Sequence, residues 1–382
     1  VKIKVRVNDF YVEERINLAP QKKGKFALYR LEKRFWNTLD LLRYLQRRYK
    51  FQRFQRLGLK DRYSHSIQYL ANPLVFKEPI TEKNFSLQFL GFIDKPLRNE
   101  NLLGNSFKIT LRDLPKAEGE RLIRNFAEIK KDGFPNFYDE QRMGQARHKE
   151  GFLVKSLIFK HYEDALKLYL ATPSPYDESR VRKFKRFLKE NWGKWEEGLS
   201  LSPQEYKPVL KHLSERKRDF KGAVKKIPRD LLELFINAYQ AYIWNETLNL
   251  FLKNLGLDLY PLPYRFGELL FYRHLPEKSR AYLLNCSIPS PAPKSQFPPE
   301  VRLIMEDVLK REDLTIDKLK LRLKLRGIYF KPFERKAICL PSEMAISELK
   351  EDELYSNKFK LEVSFFLPPG SYATVLIKRL TF

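Results

Sequence analysis

FKLEVSFF, residues 359–366, carries the pattern of a half-buried strand near the carboxyl end. Phe359, Leu361, Val363 and Phe365 alternate with polar partners, the period of two that gives a strand one buried and one polar face. Pro368-Pro369-Gly370 breaks the run, and Tyr372–Leu380 reads as a further strand after it. At the other end of the chain KIKVRV, residues 2–7, alternates as strictly. Ile3, Val5 and Val7 face one way and Lys2, Lys4 and Arg6 the other, which predicts a half-buried strand. Two further strands are predicted over Ser86–Ile93 and Phe107–Leu111, with Gly104-Asn105 as the turn between them. The rest is largely helical in spacing. Leu39, Leu42, Leu45 and Tyr49 predict a helix over Thr38–Tyr49, capped by Asn37 or Thr38. Another is predicted near Ala146–Leu170, and Pro228 opens a long helix carrying Leu231, Phe235, Ala238, Tyr242 and Ile243. Strands at both ends around a helix-rich middle describe an α+β domain interrupted by an insertion. The proline-rich patches TPSPYD (172–177) and IPSPAPKSQFPPE (288–300) read as loops or seams.

Composition narrows the class of function. Lys and Arg number 73 against 47 Asp and Glu in 382 residues, a formal charge of +26. An apolar fraction of 43% is too high for a disordered polycation, so the charge belongs to a folded surface that favours a polyanion, nucleic acid first. Cys286 and Cys339 form no CxxC, so neither a zinc site nor a disulfide framework is expected, and two buried thiols in a reducing cytoplasm are. No apolar signal core is expected near Val1–Phe10, and no apolar run approaches the roughly 20 residues that span a bilayer. GxGxxG, Walker-type loops, HExxH and Cys/His clusters are absent from the sequence, so no cofactor and no metal are expected.

The basic charge is densest from Arg30 to Arg62, with eleven cations against three acids, interleaved with Phe35, Trp36, Tyr44, Tyr49, Phe51 and Phe54. Cations suit phosphates and exposed rings suit unpaired bases, although several of these rings are expected in the core. A second basic run, Lys211 to Arg229, serves equally as an RNA track or as ordinary solvated surface. RLGLKDRYSHSIQYLA (56–71) follows the first run and places Asp61 between Lys60 and Arg62. Neighbouring positive charge favours an ionised carboxylate, the form a nucleophile or base needs. By itself the tripeptide reads equally as a surface turn with an ion pair. In GFPNFYDEQRMG (133–144), Asn136 offers an amide for a base edge, Tyr138 a stacking ring and Arg142 a fork for phosphate, on what is also expected to be a turn and a capped helix.

Together these segments resemble the TruD family of tRNA pseudouridine synthases. The resemblance runs through KVRVNDFYVEE (4–14), FWNT (35–38), GLKDR…Q (58–68), GNSFKITLR (104–112), FPNFYDEQRMG (134–144), AYQAYIWN (238–245) and LPPGSYATVLIKRL (367–380). The sequence departs from the family signature at Tyr138, Asp139 and Met143, where the pattern has Phe, Gly and Phe. The resemblance implies a catalytic domain with a mixed, largely antiparallel sheet flanked by helices over residues 1–160 and 331–382, and a helix-rich insertion domain over 161–330. It implies cofactor-free isomerisation of uridine, at position thirteen in the D-arm of tRNA, in the cytoplasm, with no obligatory protein partner and no membrane. The family's catalytic Asp falls on Asp61 and its active-site Lys on Lys4, a residue that alone would read as a solvated lysine. The expected substrate-binding residues are Asn136, Tyr138, Arg142, Phe10, Lys60 and Arg62. A non-catalytic tRNA-binding or chaperone module of the same fold is the main alternative. A methyltransferase is the second, disfavoured by the missing glycine-rich nucleotide loop.

Overall fold

The computed structural model of the chain describes residues 1–143, 147–148, 151–174 and 177–382. The chain forms two compact units, Val1–Asn136 with Ile338–Phe382, and Phe137–Ala337. The first holds β1 (Phe10–Ile16), β2 (Phe26–Lys33), α1 (Thr38–Tyr49), β3 (Gln55–Arg56), β4 (His65–Asn72), β5 (Ile80–Glu82), β6 (Phe85–Ile93), β7 (Leu102–Leu114) and α2 (Lys116–Asp132). Its sheet runs Ser342–Ile346, Phe359–Leu367, β7, β1, β4, β2, β6, β5. β1 and β4 pair in parallel and the other neighbours along it are antiparallel, so the expected α+β class with a mixed, largely antiparallel sheet is correct. The final strand lies next to β7 with Val363 opposite Ile109, so the carboxyl end completes the amino-terminal sheet. α1 covers the sheet by burying Leu41, Leu42 and Leu45 against Tyr29, Leu31, Leu70 and Leu87. The side chain of Asn37 caps it by accepting from the amide of Asp40 at 2.8 Å.

Three strand expectations need correction. KIKVRV does not form a strand: Lys2 makes a single bridge with Arg112, Lys4 has φ of 59°, and Val7–Asp9 is a 3-10 turn leading into β1. The cause is electrostatic and long-range. Arg112 of β7, almost wholly buried, donates to Asp9 at 3.0–3.1 Å and to Asp352 at 2.8 Å, while the amide of Arg6 donates to Asp9 at 2.7 Å. A buried guanidinium needs these carboxylates more than the segment needs a ladder. Gly104-Asn105 is not a turn either, because it lies inside β7. A Cβ at Gly104 would stand 2.3 Å from the carbonyl oxygen of Leu367, so this glycine permits close approach of the final strand. Finally, Tyr372–Leu380 is not a strand. Ala373–Thr381 is a helix that packs on α2 and buries Val375, Leu376, Ile377 and Leu380.

The second unit is helical around Arg229–Asn254, with Pro228 immediately ahead of its first turn. Phe235, Tyr239, Ile243, Trp244 and Phe251 are buried around this helix, as in a central core helix. The helix expected near Ala146–Leu170 is divided into Leu153–Ile158 and Tyr162–Leu170, parted at Lys160, whose φ is 64°. Positions 144–146, 149–150 and 175–176, which touch that expectation and the first proline-rich patch, lie outside the described residues. Among the described residues no helix is long and apolar enough to cross a membrane.

Candidate active site

The turn that carries Lys60, Asp61 and Arg62 enters β4 and is pinned from beneath by buried polar side chains. Thr38, at the start of α1, accepts from the amide of Lys60 at 2.9 Å and donates to Gln68 at 2.7 Å. Gln68 in turn donates to the carbonyl of Gly58 at 3.1 Å. The carbonyl of Asp61 accepts from Ser64 at 3.0 Å and from the ammonium of Lys33 at 2.9 Å, and Lys33 also donates to the carbonyl of Trp36 at 2.7 Å. Thr38, Gln68, Ser64 and Lys33 are all buried, so the turn is fixed by groups with no competing water. The carboxylate of Asp61 is left projecting, its side chain 50% exposed.

Lys4 meets that carboxylate with its ammonium 2.7 Å from Oδ2 and 4.4 Å from the centre of the Phe10 ring. Phe10 opens β1, is buried, and packs edge-on against Phe107. The left-handed backbone at Lys4, held between the Lys2–Arg112 bridge and the Arg6–Asp9 turn, brings its side chain here. A strand through Lys4 would have used that backbone for a ladder.

Lys60 and Arg62 flank Asp61 in sequence but go elsewhere. The ammonium of Lys60 turns inward to Asn105 at 2.5 Å and the buried Glu14 at 3.2 Å. Arg62 donates from Nε to the carbonyl of Phe35 at 3.2 Å at the surface. Asn136, in the same unit, is buried and accepts from Ser371 at 3.1 Å in the turn that follows the final strand. Gly133, with φ of 67°, leads into this segment, and a Cβ there would be 2.5 Å from the carbonyl of Cys339.

Tyr138 and Arg142 belong to the second unit. Asn245 brackets the backbone of Tyr138, accepting from its amide at 2.8 Å and donating to its carbonyl at 2.9 Å. The Arg335 guanidinium lies 4.1 Å from the centre of the Tyr138 ring, Trp244 packs edge-on to it, and burial raises its phenol above the ordinary range. Arg142 is exposed on the short helix Glu140–Met143. The structure therefore brings together Lys4, Phe10 and Asp61, and separately gathers Tyr138 with Asn245 and Arg335. Lys33 and Arg335 are residues that sequence reasoning missed. Lys33 has a faint signal at most, a cation that falls on the same face of β2 as the apolar Leu31 and Tyr29. Arg335 has none.

Burial pushes the Lys33 ammonium down to about 8, with nearby Lys60 adding to the fall and the charge of Asp61 opposing it. Rising pH should therefore discharge Lys33 near 8 and loosen its hold on the Asp61 turn. We expect an alkaline limb in kcat/KM near pH 8 that disappears in Lys33→Met, whose activity is lower at all pH. The sign for stability is opposite. A lysine depressed in the folded state costs stability below about pH 8, and that cost fades as pH rises toward the ordinary lysine value. The activity loss should not be mirrored by a loss of melting temperature from this group, and a parallel fall in both would assign the limb to unfolding.

Comparisons with known proteins agree on one family. The family described as tRNA pseudouridine synthase D (TruD) matches residues 1–260. A protein of Aquifex aeolicus named tRNA pseudouridine synthase D is 30% identical over 394 residues, covering 100% of this chain and 98% of that protein. One of the same name from Leptospira interrogans is 31% identical over 395 residues, covering 99% and 95%. A crystal structure of a candidate tRNA pseudouridine synthase D from Methanosarcina mazei superposes with a TM-score of 0.73 at 26% identity, covering 99% of this chain and 93% of that one.

Proposed function

The chain belongs to the tRNA pseudouridine synthase D family, and from that premise we propose that it isomerises uridine to pseudouridine in tRNA, without a cofactor, through Asp61. The observation that carries the assignment of the residue is the Lys4–Asp61 pair, 2.7 Å apart and built from segments 57 positions apart. The reaction breaks the N1–C1′ bond, turns the uracil and joins C5 to C1′. N1 gains a proton and C5 loses one, so atoms and electrons balance within the nucleotide. The nucleotide must first leave its stack, at a cost of a few kcal/mol that contacts in the site offset. Asp61 then acts at the ribose, by attack on C1′ or by taking the 2′ proton. Lys4 fixes the carboxylate, and Phe10 fixes Lys4. Lys33, Thr38, Ser64 and Gln68 position the turn without touching substrate.

Asn136 and Tyr138 are assigned to the uracil, Tyr138 by stacking and Asn136 by an edge or backbone contact, and Arg142 to phosphate. The family expectation for the target is uridine thirteen of the D-arm. The helix-rich unit 137–337 corresponds in this reading to the insertion domain. The test is direct: the purified chain, treated with a chelator and desalted, is incubated with unmodified tRNA, and pseudouridine is mapped by carbodiimide adducts. Adducts at the D-arm uridine support the reading, and their absence from every uridine rejects it.

Lys4→Met retains the stem over Phe10 and removes the ammonium that pairs with Asp61. A fall in kcat of about 100-fold is expected, in the range of a lost positioned proton-transfer or electrostatic partner. Affinity for tRNA should hold, because one cation in an excess of 26 contributes little to the overall field. Near-normal kcat would return Lys4 to an ordinary solvated lysine.

A further inference from the structure

Phe35 and Tyr63 form an exposed aromatic pair on the flank of the Asp61 turn, and the proposed reaction has not used them. Their rings meet edge-on at 5.7 Å between centres, with Phe35 42% and Tyr63 43% exposed. The pair is tied to the site from three sides. Tyr63 stands two positions after Asp61 and donates its hydroxyl to the carbonyl of Val5, the neighbour of Lys4, at 3.3 Å. The carbonyl of Phe35 accepts from Arg62, the residue between Asp61 and Tyr63. Two positions C-terminal to Phe35 and Tyr63 respectively, Asn37 caps α1 and His65 opens β4.

The backbone of Phe35 adds an independent observation. Its φ is 58°, a left-handed conformation that a bulky aromatic residue rarely adopts and that glycine adopts freely. The fold thus accepts strain to hold a large ring that keeps 42% of its surface exposed. Two rings are too small a patch for a protein interface, and Arg34 and Arg62, the residues that precede Phe35 and Tyr63, add positive charge. A flat apolar face beside Arg62, on the turn that carries the reactive carboxylate, suits an unpaired nucleobase.

We propose that Phe35 and Tyr63 form a stacking platform for a base adjacent to the target uridine, holding the neighbouring nucleotide out of its stack so that the target reaches Asp61. The inference rests on the uridine-isomerising reading for the identity of the RNA, and they are positioning residues for that reaction.

The test uses the full chain in an Asp61→Asn background for binding and in the native background for kcat/KM. The probes are an unmodified tRNA transcript and transcripts carrying an abasic nucleotide on either side of the target. Phe35→Leu and Tyr63→Leu should each weaken binding to the intact transcript by roughly 5- to 100-fold, the range found for loss of one stacking ring. The unsubstituted platform should lose a similar factor on one of the abasic transcripts, and the leucine variants should then lose nothing further. Phe35→Gly is the control for folding. It should melt at or above the parent, because it relieves the left-handed strain, yet bind as weakly as Phe35→Leu. Unchanged affinity in both leucine variants, losses that multiply with the abasic site, or losses that track a lowered melting temperature would each overturn the platform. Because these binding arms need no turnover, they are read even if no pseudouridine forms, which would reject the proposed reaction separately.

Discussion

Asp61→Asn is expected to abolish pseudouridine formation while leaving the fold and tRNA binding intact. The anchors of the turn use the backbone of residue 61, whose carbonyl accepts from Ser64 and Lys33, so the substitution leaves both hydrogen bonds in place. The side chain that changes is half-exposed and nearly isosteric, so no cavity and no buried unsatisfied group result. What disappears is the negative charge, and with it both the nucleophile and the base. The expected loss is at least the roughly 100- to 10,000-fold of a removed general base, and complete if the carboxylate attacks C1′. Removing a carboxylate from a basic surface also lessens repulsion toward phosphate, so affinity should hold or rise. Pseudouridine mapping, a binding titration and a thermal melt on one preparation separate this outcome from the alternatives. A well-folded Asp61→Asn protein that turns over at the normal rate would return Asp61 to a surface ion pair and the chain to the binding-module reading.

The second large effect is on stability. Arg112→Met should destabilise the unit formed by 1–136 and 338–382 by about 3–5 kcal/mol, the cost of removing one member of a buried ion network. Arg112 bridges Asp9, Asp352 and Glu353, and the first two are about as buried as it is. Without the guanidinium two carboxylates face each other in the interior, and the Val7–Asp9 turn loses its anchor. Lys4 lies three residues before that turn, so kcat should fall with stability. Hydrogen exchange resolves the effect by region: amides of β1 and β7 should lose protection, while those of the Arg229–Asn254 helix serve as an internal reference. A loss of less than about 1 kcal/mol, typical of exposed ion pairs, would mean that water shares the network.

Local spacing in the sequence determined what depends on neighbours in the chain. α1 and its Asn37 cap follow from the spacing of Leu42, Leu45 and Tyr49, and the final strand from the alternation at 359–365. The long helix after Pro228 was legible for the same reason. Asp61, Lys4 and Asn136 were legible only as motif positions in a resemblance, because neither a lone KDR nor one lysine among many is distinctive. Tertiary structure decided the rest. Strict alternation in KIKVRV gave way to Asp9 binding Arg112, a partner 103 positions away. Gly104 looked like a turn and is a point of close contact with Leu367, a distinction that exists only once the final strand is in place. The apolar run after Gly370 fits a strand or a helix, and packing against α2 chose the helix. The support of the site follows the same division. Lys33, Thr38, Ser64 and Gln68 are ordinary residues by type, and they acquire a role because β2, α1 and β4 bury them under one turn, where each unmade hydrogen bond would be costly.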